Sequence, residues 1–388
     1  MKFILILFVV WRIFLFSPLY FSDKSLPYRQ NYEYTSLLKE AKTSPVVVNF
    51  FLYPWANFDG IHYLLIAGEG YTNNFGFLPL FPILIKTLTL LIGNESTFSP
   101  SYFFSGLIIS NLAFLASLFI FYKLLLFDYK RGVAITSIVF LLLFPTSFYF
   151  GAVYSESLFL LLTLLTFYFA RKKRWLAAGI TGMFLSITRI VGIFILPALI
   201  YEFVKQEKID IKKIKNIFKL FLRLWPLFFI PLSVFGYGIY NFLNKGEFFY
   251  FINAHGNLGN GRTVNSIVLF PQTIFRYIKI ILSIPYSQFE WWIALLEITT
   301  FFIVSFLLYL SWKKKIRLSY LIFSVPCFLL PIFSGTFTGL PRYSLVLFPI
   351  FISLALINQK LIKLFYVIIA PILLFLLLMF FSKGYFIS

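Results

Sequence analysis

The chain has 388 residues, of which 60% are hydrophobic and only 12% charged. Its apolar residues fall in runs of about 20, the length an α-helix needs to cross a bilayer, which excludes a soluble globular fold. The formal charge of +20 would suit nucleic acid, but the lysines and arginines sit in short clusters between apolar runs, the pattern of cytoplasmic loops. A single cysteine, Cys327, lies within an apolar run and excludes both a disulfide framework and a thiolate metal site.

Residues Lys2 to Phe16 begin the first run. Ser17-Pro18-Leu19-Tyr20 offers no small-x-small cleavage site, so the run reads as a retained helix rather than a signal peptide. Basic clusters follow at Lys123 to Arg131, Arg171 to Arg174, Lys205 to Arg223, Lys313 to Arg317, and Lys360 with Lys363. Placing them and Lys2 in the cytoplasm gives nine crossings, at about 3–21, 100–122, 133–151, 155–170, 222–243, 291–312, 317–334, 341–358 and 361–381. Two apolar stretches would break the alternation and must return to their own side. Residues 76–92, with Pro79, Pro82 and Lys86, suit a helix in the outer interface, and 176–200 read as a re-entrant helical hairpin around Thr188-Arg189. This count puts 21 of the 34 basic residues on the inner side, against 4 of the 14 acids. Most carboxylates therefore face outward, on the loops 22–99 and 244–290. The expected fold is an all-α polytopic membrane bundle forming one domain, 1–388, with no internal repeat.

The densest set of polar residues near the membrane is Trp55-Ala56-Asn57-Phe58-Asp59-Gly60-Ile61-His62-Tyr63, followed by Glu69, Tyr71 and Phe77 to Pro82. If 58–67 is helical, Asp59, His62 and Tyr63 share a face at i, i+3 and i+4. A carboxylate there, partly desolvated beside aromatic rings, is expected to have a raised pKa and to serve as a general base. The alternative is an interfacial helix that Asp59 merely caps. Glu156, in Tyr154-Ser155-Glu156-Ser157, stands at a helix start, as a substrate contact or as a partner of the helix dipole. Arg189, alone in an apolar segment, needs a polar partner: an anion such as phosphate, or an ion pair with Glu156 or Glu297. Arg342, in Gly339-Leu340-Pro341-Arg342-Tyr343, is either a phosphodiester contact or an interfacial anchor beside Tyr343. The turn-rich loop from Asn253 to Arg262 is a substrate loop or a connector. His62 and His255 are too few and too poorly spaced for a metal site, so no metal or cofactor is expected. Asn94-Glu95-Ser96 fits a glycosylation sequon.

Asn57-Phe58-Asp59-Gly60-Ile61-His62-Tyr63, leading to Ile66-Ala67 and Gly70-Tyr71 and then to Phe77-Leu78-Pro79-Leu80-Phe81-Pro82, resembles the W-D-G-x-H-Y, I-A-x-x-G-Y and F-x-P-L-F-P signature of PIG-V-like mannosyltransferases. These are membrane glycosyltransferases of the GT-C class. Tyr154 to Ser157, Thr188-Arg189, and Pro341-Arg342-Tyr343 with Phe348-Pro349 stand in the same order. Phe58 replaces the tryptophan of the signature, which keeps an aromatic ring before the aspartate. The resemblance implies a GT-C-like bundle, an inverting hexosyl transfer from a polyprenyl-phosphate-linked mannose, and Asp59 as the catalytic base. Trp55, Asn57, His62, Tyr63, Glu69, Tyr71, Glu156, Arg189, Arg262, Arg342 and Tyr343 are the expected substrate contacts. The acceptor is expected to be a lipid or glycan. The short chain lacks elaborate lumenal loops and so resembles prokaryotic relatives, which implies a plasma membrane with the site on its extracytoplasmic face. The rival reading is a polytopic transporter or lipid flippase, which would gather its ionisable residues near the bilayer midplane.

Overall fold

A computed structural model describes residues 2–30, 53–93, 99–208, 223–256, 263 and 266–387; Arg262 and the sequon at 94–96 lie outside them. Among the described residues every regular element is helical. Five segments of the described residues are long and apolar enough to cross a membrane: Lys2–Ser25, Pro100–Leu125, Trp225–Lys245, Phe289–Lys313 and Lys360–Ser382. The chain is an integral membrane protein on that ground.

The first segment is two helices, α1 (Lys2–Phe14) and α2 (Phe16–Ser25), meeting at Leu15. Pro18 has no N–H to offer the Phe14 carbonyl, and the Ser17 hydroxyl donates to that carbonyl instead at 2.7 Å. After them come α3 (Asp59–Glu69) and α4 (Leu80–Ile92), both within the expected outer loop, then α5 (Pro100–Leu125), which opens on a proline at its first position. Next are α6 (Arg131–Leu143), α7 (Glu156–Arg171), α8 (Trp175–Ser186), α9 (Ile195–Glu207), α10 (Phe229–Lys245) and α11 (Tyr250–Gly256). The remainder is α12 (Phe270–Ser283), α13 (Phe289–Lys313), α14 (Leu318–Ile332), α15 (Leu340–Tyr343), α16 (Pro349–Ala355) and α17 (Lys360–Ser382).

Three of the nine expected crossings are shorter than the sequence suggests, while α7 has the 16 residues expected at 155–170. The run 133–151 is a 13-residue helix, about 20 Å long, followed by a 3-10 turn at Ser147–Gly151. Pro145 is the reason: it forces Phe144 out of the helical region, to ψ 137°. Helix α14 has 15 residues where 317–334 is expected. The run 341–358 is interrupted most. Pro349 can start a helix but not continue one, so α15, a 3-10 turn at Ser344–Val346 and α16 replace a single span. That interruption, and the turn after α6, put irregular backbone inside the bundle, where it is buried in protein.

The hairpin expected at 176–200 is present, with its break at Arg189. Helix α8 runs along α7, and α9 returns to the same end, where Lys173 donates to Glu207 at 3.1 Å and Gln206 to the Ala170 carbonyl at 3.2 Å. The same end is tied by Arg171 with Asp128 and by Arg317 with the fully buried Glu202. Glu156 opens α7 about 23 Å away, at 1.5 Å per residue. The charged residues at that other end form the candidate site.

Candidate active site

Asp59 is the first residue of α3, where the positive end of the helix dipole favours an acid. Its entry is strained: Phe58 has φ 59°, a left-handed value rare for a bulky residue. The Phe58 ring is held between Phe381, at 5.7 Å, and Phe386, at 5.1 Å. No side-chain cap bond forms at the start of α3. Instead the Asp59 carboxylate accepts a hydrogen bond from Arg342 Nη1 at 2.6 Å.

Arg342 lies on the one-turn helix α15, and its side chain is only 7% exposed. Gly339 begins that turn with φ 87°, and a Cβ there would stand 2.6 Å from the Tyr343 ring, so glycine is required. Thr146 donates to the Pro341 carbonyl at 2.9 Å and fixes the turn from the other side. Gly339→Ala is therefore expected to cost about 1–2 kcal/mol in backbone strain and to shift Arg342. A lowered unfolding midpoint together with reduced activity checks it; a wild-type midpoint contradicts it.

Arg342 Nε stands 3.4 Å from Glu156 Oε1, which also accepts from Arg189 Nη1 at 2.5 Å. Asp59, Arg342, Glu156 and Arg189 thus alternate in sign along one chain of contacts, with no net charge. Tyrosines enclose it: the Arg342 guanidinium lies 5.5 Å from the Tyr149 and Tyr154 rings, and that of Arg189 5.0 Å from Tyr343. The Tyr63 hydroxyl bonds Ser155 Oγ at 2.8 Å, and the His62 ring stacks on Phe77 at 4.9 Å. Arg189 owes its place to the break between α8 and the 3-10 turn Ile190–Phe194: it is extended, with φ −150°, at the tip of the hairpin. Of the four charged side chains Asp59 is the most exposed, at 23%, followed by Arg189 at 18%, with Arg342 and Glu156 buried.

Burial alone would raise the Asp59 pKa, as its sequence setting suggests. Arg342, His62 and Arg189 outweigh that effect through their charges and through the Arg342 hydrogen bond, and hold the carboxyl below its ordinary value. This corrects the expectation of a raised pKa: the sequence shows the aromatic surroundings of Asp59 but not a guanidinium from 283 positions away. Burial pushes His62 downward by more than Asp59 raises it, favouring a neutral imidazole. Because the Asp59 pKa is depressed on folding, the stability it contributes is present above its ordinary value and lost as pH falls through the lower, folded one. Activity that needs ionised Asp59 is expected to hold from neutral pH down to about pH 5, above the ordinary aspartate value of about 3.9. A pH-rate profile checks this, and an acidic limb between about pH 6 and 7 contradicts it.

The structure brings together Asp59, His62, Tyr63, Glu156, Arg189, Arg342 and Tyr343, and places the other expected contacts elsewhere. Glu69 ends α3, exposed and about 15 Å along the helix from Asp59. Tyr71 donates to the Phe77 carbonyl at 2.8 Å and packs against Tyr237 and Tyr240. The Asn57 side-chain amide donates to the Phe381 carbonyl at 2.8 Å, and the Asn57 backbone carbonyl accepts from the Tyr154 hydroxyl at 2.6 Å. Trp55 is fully buried and offers no ring face to a sugar; Arg12 covers it. Among the described residues no group of three or more histidines, cysteines or carboxylates could hold a metal.

Several neighbours of the site carry no sequence signal. Phe381, Phe386 and the Tyr149 hydroxyl, which donates to the Ile387 carbonyl, bring the end of α17 and the segment after it against Phe58. Arg12 did carry a signal, as the one charge between Lys2 and Asp23 in the first apolar run.

No protein-family model and no curated protein matches the chain. Among solved structures it is similar to an Archaeoglobus fulgidus oligosaccharyltransferase. The apo form aligns over 86% of this chain and 52% of that one at 14% identity, with a TM-score of 0.46. The form tethered to an acceptor peptide containing the NVT sequon aligns over 86% and 51% at 13% identity, with a TM-score of 0.43. The chain thus spans about half the length of the structures it matches.

Proposed function

We propose that this chain is a GT-C-type glycosyltransferase that moves a hexose, mannose on the strength of the motif resemblance, from a polyprenyl-phosphate carrier to a hydroxyl of a lipid or glycan acceptor. The observation that carries the reading is the ionised carboxylate of Asp59, open to a substrate and backed by the buried Arg342–Glu156–Arg189 chain. Asp59 takes the proton of the acceptor hydroxyl as its oxygen attacks the anomeric carbon; the carrier phosphate leaves from the opposite face with the bonding electron pair, and the anomeric configuration inverts. The leaving group departs as a phosphate anion, so cationic side chains suffice to stabilise the developing charge. Arg342 can turn toward that charge as Asp59 is neutralised by the acceptor proton. His62, Tyr63 and Tyr343 line the approach and orient hydroxyls. The positive-inside distribution supports an extracytoplasmic position for this end of the bundle, and the resemblance to prokaryotic relatives supports a plasma membrane.

A transporter is favoured by one feature, the discontinuous hairpin with Arg189 at its break. The two readings separate on incubation of the purified protein with radiolabelled polyprenyl-phosphate mannose and candidate acceptors, wild type beside Asp59→Asn. Transfer by the wild type alone supports the enzyme. Equal transfer by both removes Asp59 from the role, and substrate flux in liposomes without transfer supports the transporter.

A further inference from the structure

We infer that Arg12 and Trp55 form a binding site for the phosphate group of a lipid substrate, an inference that rests on the transferase reading above. Arg12 lies on α1, with its guanidinium 4.3 Å from the Trp55 ring centroid and 5.2 Å from that of Phe16. Its Nη1 is buried and has no hydrogen-bond partner, and among the described residues Arg12 joins no ion pair. On the ring beneath it, Trp55 Nε1 is also buried without an acceptor, in a side chain with no exposed surface. Arginine stays protonated in proteins, so this is a permanent cation beside an orphaned donor, an arrangement that costs stability until an anion fills it.

The backbone is shaped around the guanidinium. A Cβ at Gly151 would stand 2.3 Å from Arg12 Nη1, so a side chain there would displace the guanidinium from its present position. Gly151 ends the 3-10 turn that carries Tyr149, whose ring faces Arg342 at 5.5 Å. Trp55 precedes Asp59 by four residues, which limits their Cα atoms to about 14 Å apart. The orphaned donors therefore lie close along the backbone to the start of the charge chain. They differ in charge: Arg342 and Arg189 are matched by Asp59 and Glu156, whereas Arg12 has no counter-charge among the described residues. An incoming phosphate finds its compensating charge at Arg12. The planar fork of arginine and an indole N–H suit phosphate oxygens. A polyprenyl-phosphate donor and a phospholipid acceptor both present such oxygens.

The test uses the full chain in a non-ionic, phosphate-free detergent and reads binding from the rise in unfolding midpoint with ligand. The probes are a short polyprenyl phosphate, the matching polyprenol and phosphatidylglycerol. The wild type is expected to bind the polyprenyl phosphate at least about tenfold more tightly than the polyprenol. Arg12→Gln is expected to abolish that preference, and Arg12→Lys to retain part of it. Gly151→Ala keeps the charge but crowds the guanidinium and is expected to weaken the preference, which provides a reading should Arg12→Gln fail to fold. Binding of phosphatidylglycerol that depends on Arg12 assigns the site to a phospholipid headgroup; its absence assigns the site to the polyprenyl carrier. A wild type without preference for phosphate over alcohol, or an unchanged preference in Arg12→Gln and Gly151→Ala, overturns the inference. Because binding is read without turnover, an active Asp59→Asn protein would end the base assignment and leave this site standing.

Discussion

Asp59→Asn is expected to leave the chain folded and to slow transfer by about 10²- to 10⁴-fold, the range that a positioned general base contributes. The substitution keeps the size of the side chain and an oxygen that can still accept from Arg342 Nη1, so the approach of α15 to α3 survives. What disappears is the only accessible anion of the four-residue chain, and with it the group that takes the acceptor proton. The loss should fall on kcat, with donor KM little changed, because the proton moves in the transition state and not on binding. Steady-state kinetics of the folded variant check this. A variant whose donor KM rises while kcat is kept would make Asp59 a binding residue instead.

Arg342→Ala is expected to have the largest effect on stability, about 3–5 kcal/mol, because it removes one member of a buried ion-pair network. Glu156 keeps Arg189, but its second oxygen already lacks a partner, and Asp59 is left beside it without a counter-charge. Two carboxylates would then share one guanidinium, which raises the pKa of the more weakly held of them. The prediction extends to the double variant. Asp59→Asn in an Arg342→Ala background should restore part of the lost stability, since it removes the carboxylate left unpaired. Unfolding midpoints of the two single variants and the double variant give the coupling, and simple additivity would contradict the pairing of Asp59 with Arg342. Where Arg342→Ala folds, transfer should also fall by about 10²- to 10³-fold through loss of charge stabilisation in the transition state.

Asp59, Glu156, Arg189 and Arg342 can each be picked out of the sequence because a charge within or at the end of an apolar run is expensive and needs a reason. Their pairing is less legible. Arg189 with Glu156 is one of two ion pairs that the sequence allows, whereas the contact of Arg342 with Asp59 joins positions 283 apart and depends on a one-turn helix set by Gly339. That contact reverses the expected direction of the Asp59 pKa, since local sequence reports desolvation but not a distant cation. The all-helical membrane bundle follows from run length, and the helical hairpin from the alternation of basic clusters. The broken stretch around 341–358 does not, although Pro341 and Pro349 are visible, because hydropathy averages over the prolines that interrupt the helix. The motif resemblance consists of short blocks near these same charges, and no family match extends it. Trp55 shows the limit of reading roles from residue type: a tryptophan beside the candidate base suggests a sugar platform, and in the fold it lies beneath Arg12.

The most direct test follows the labelled sugar from a polyprenyl-phosphate donor of known anomeric configuration, supplied to the purified chain with a hydroxyl-bearing acceptor. Direct displacement predicts one glycosidic product of opposite configuration and one polyprenyl phosphate for each sugar moved. Label that remains on its carrier with every acceptor tried, or a product of retained configuration, would contradict it.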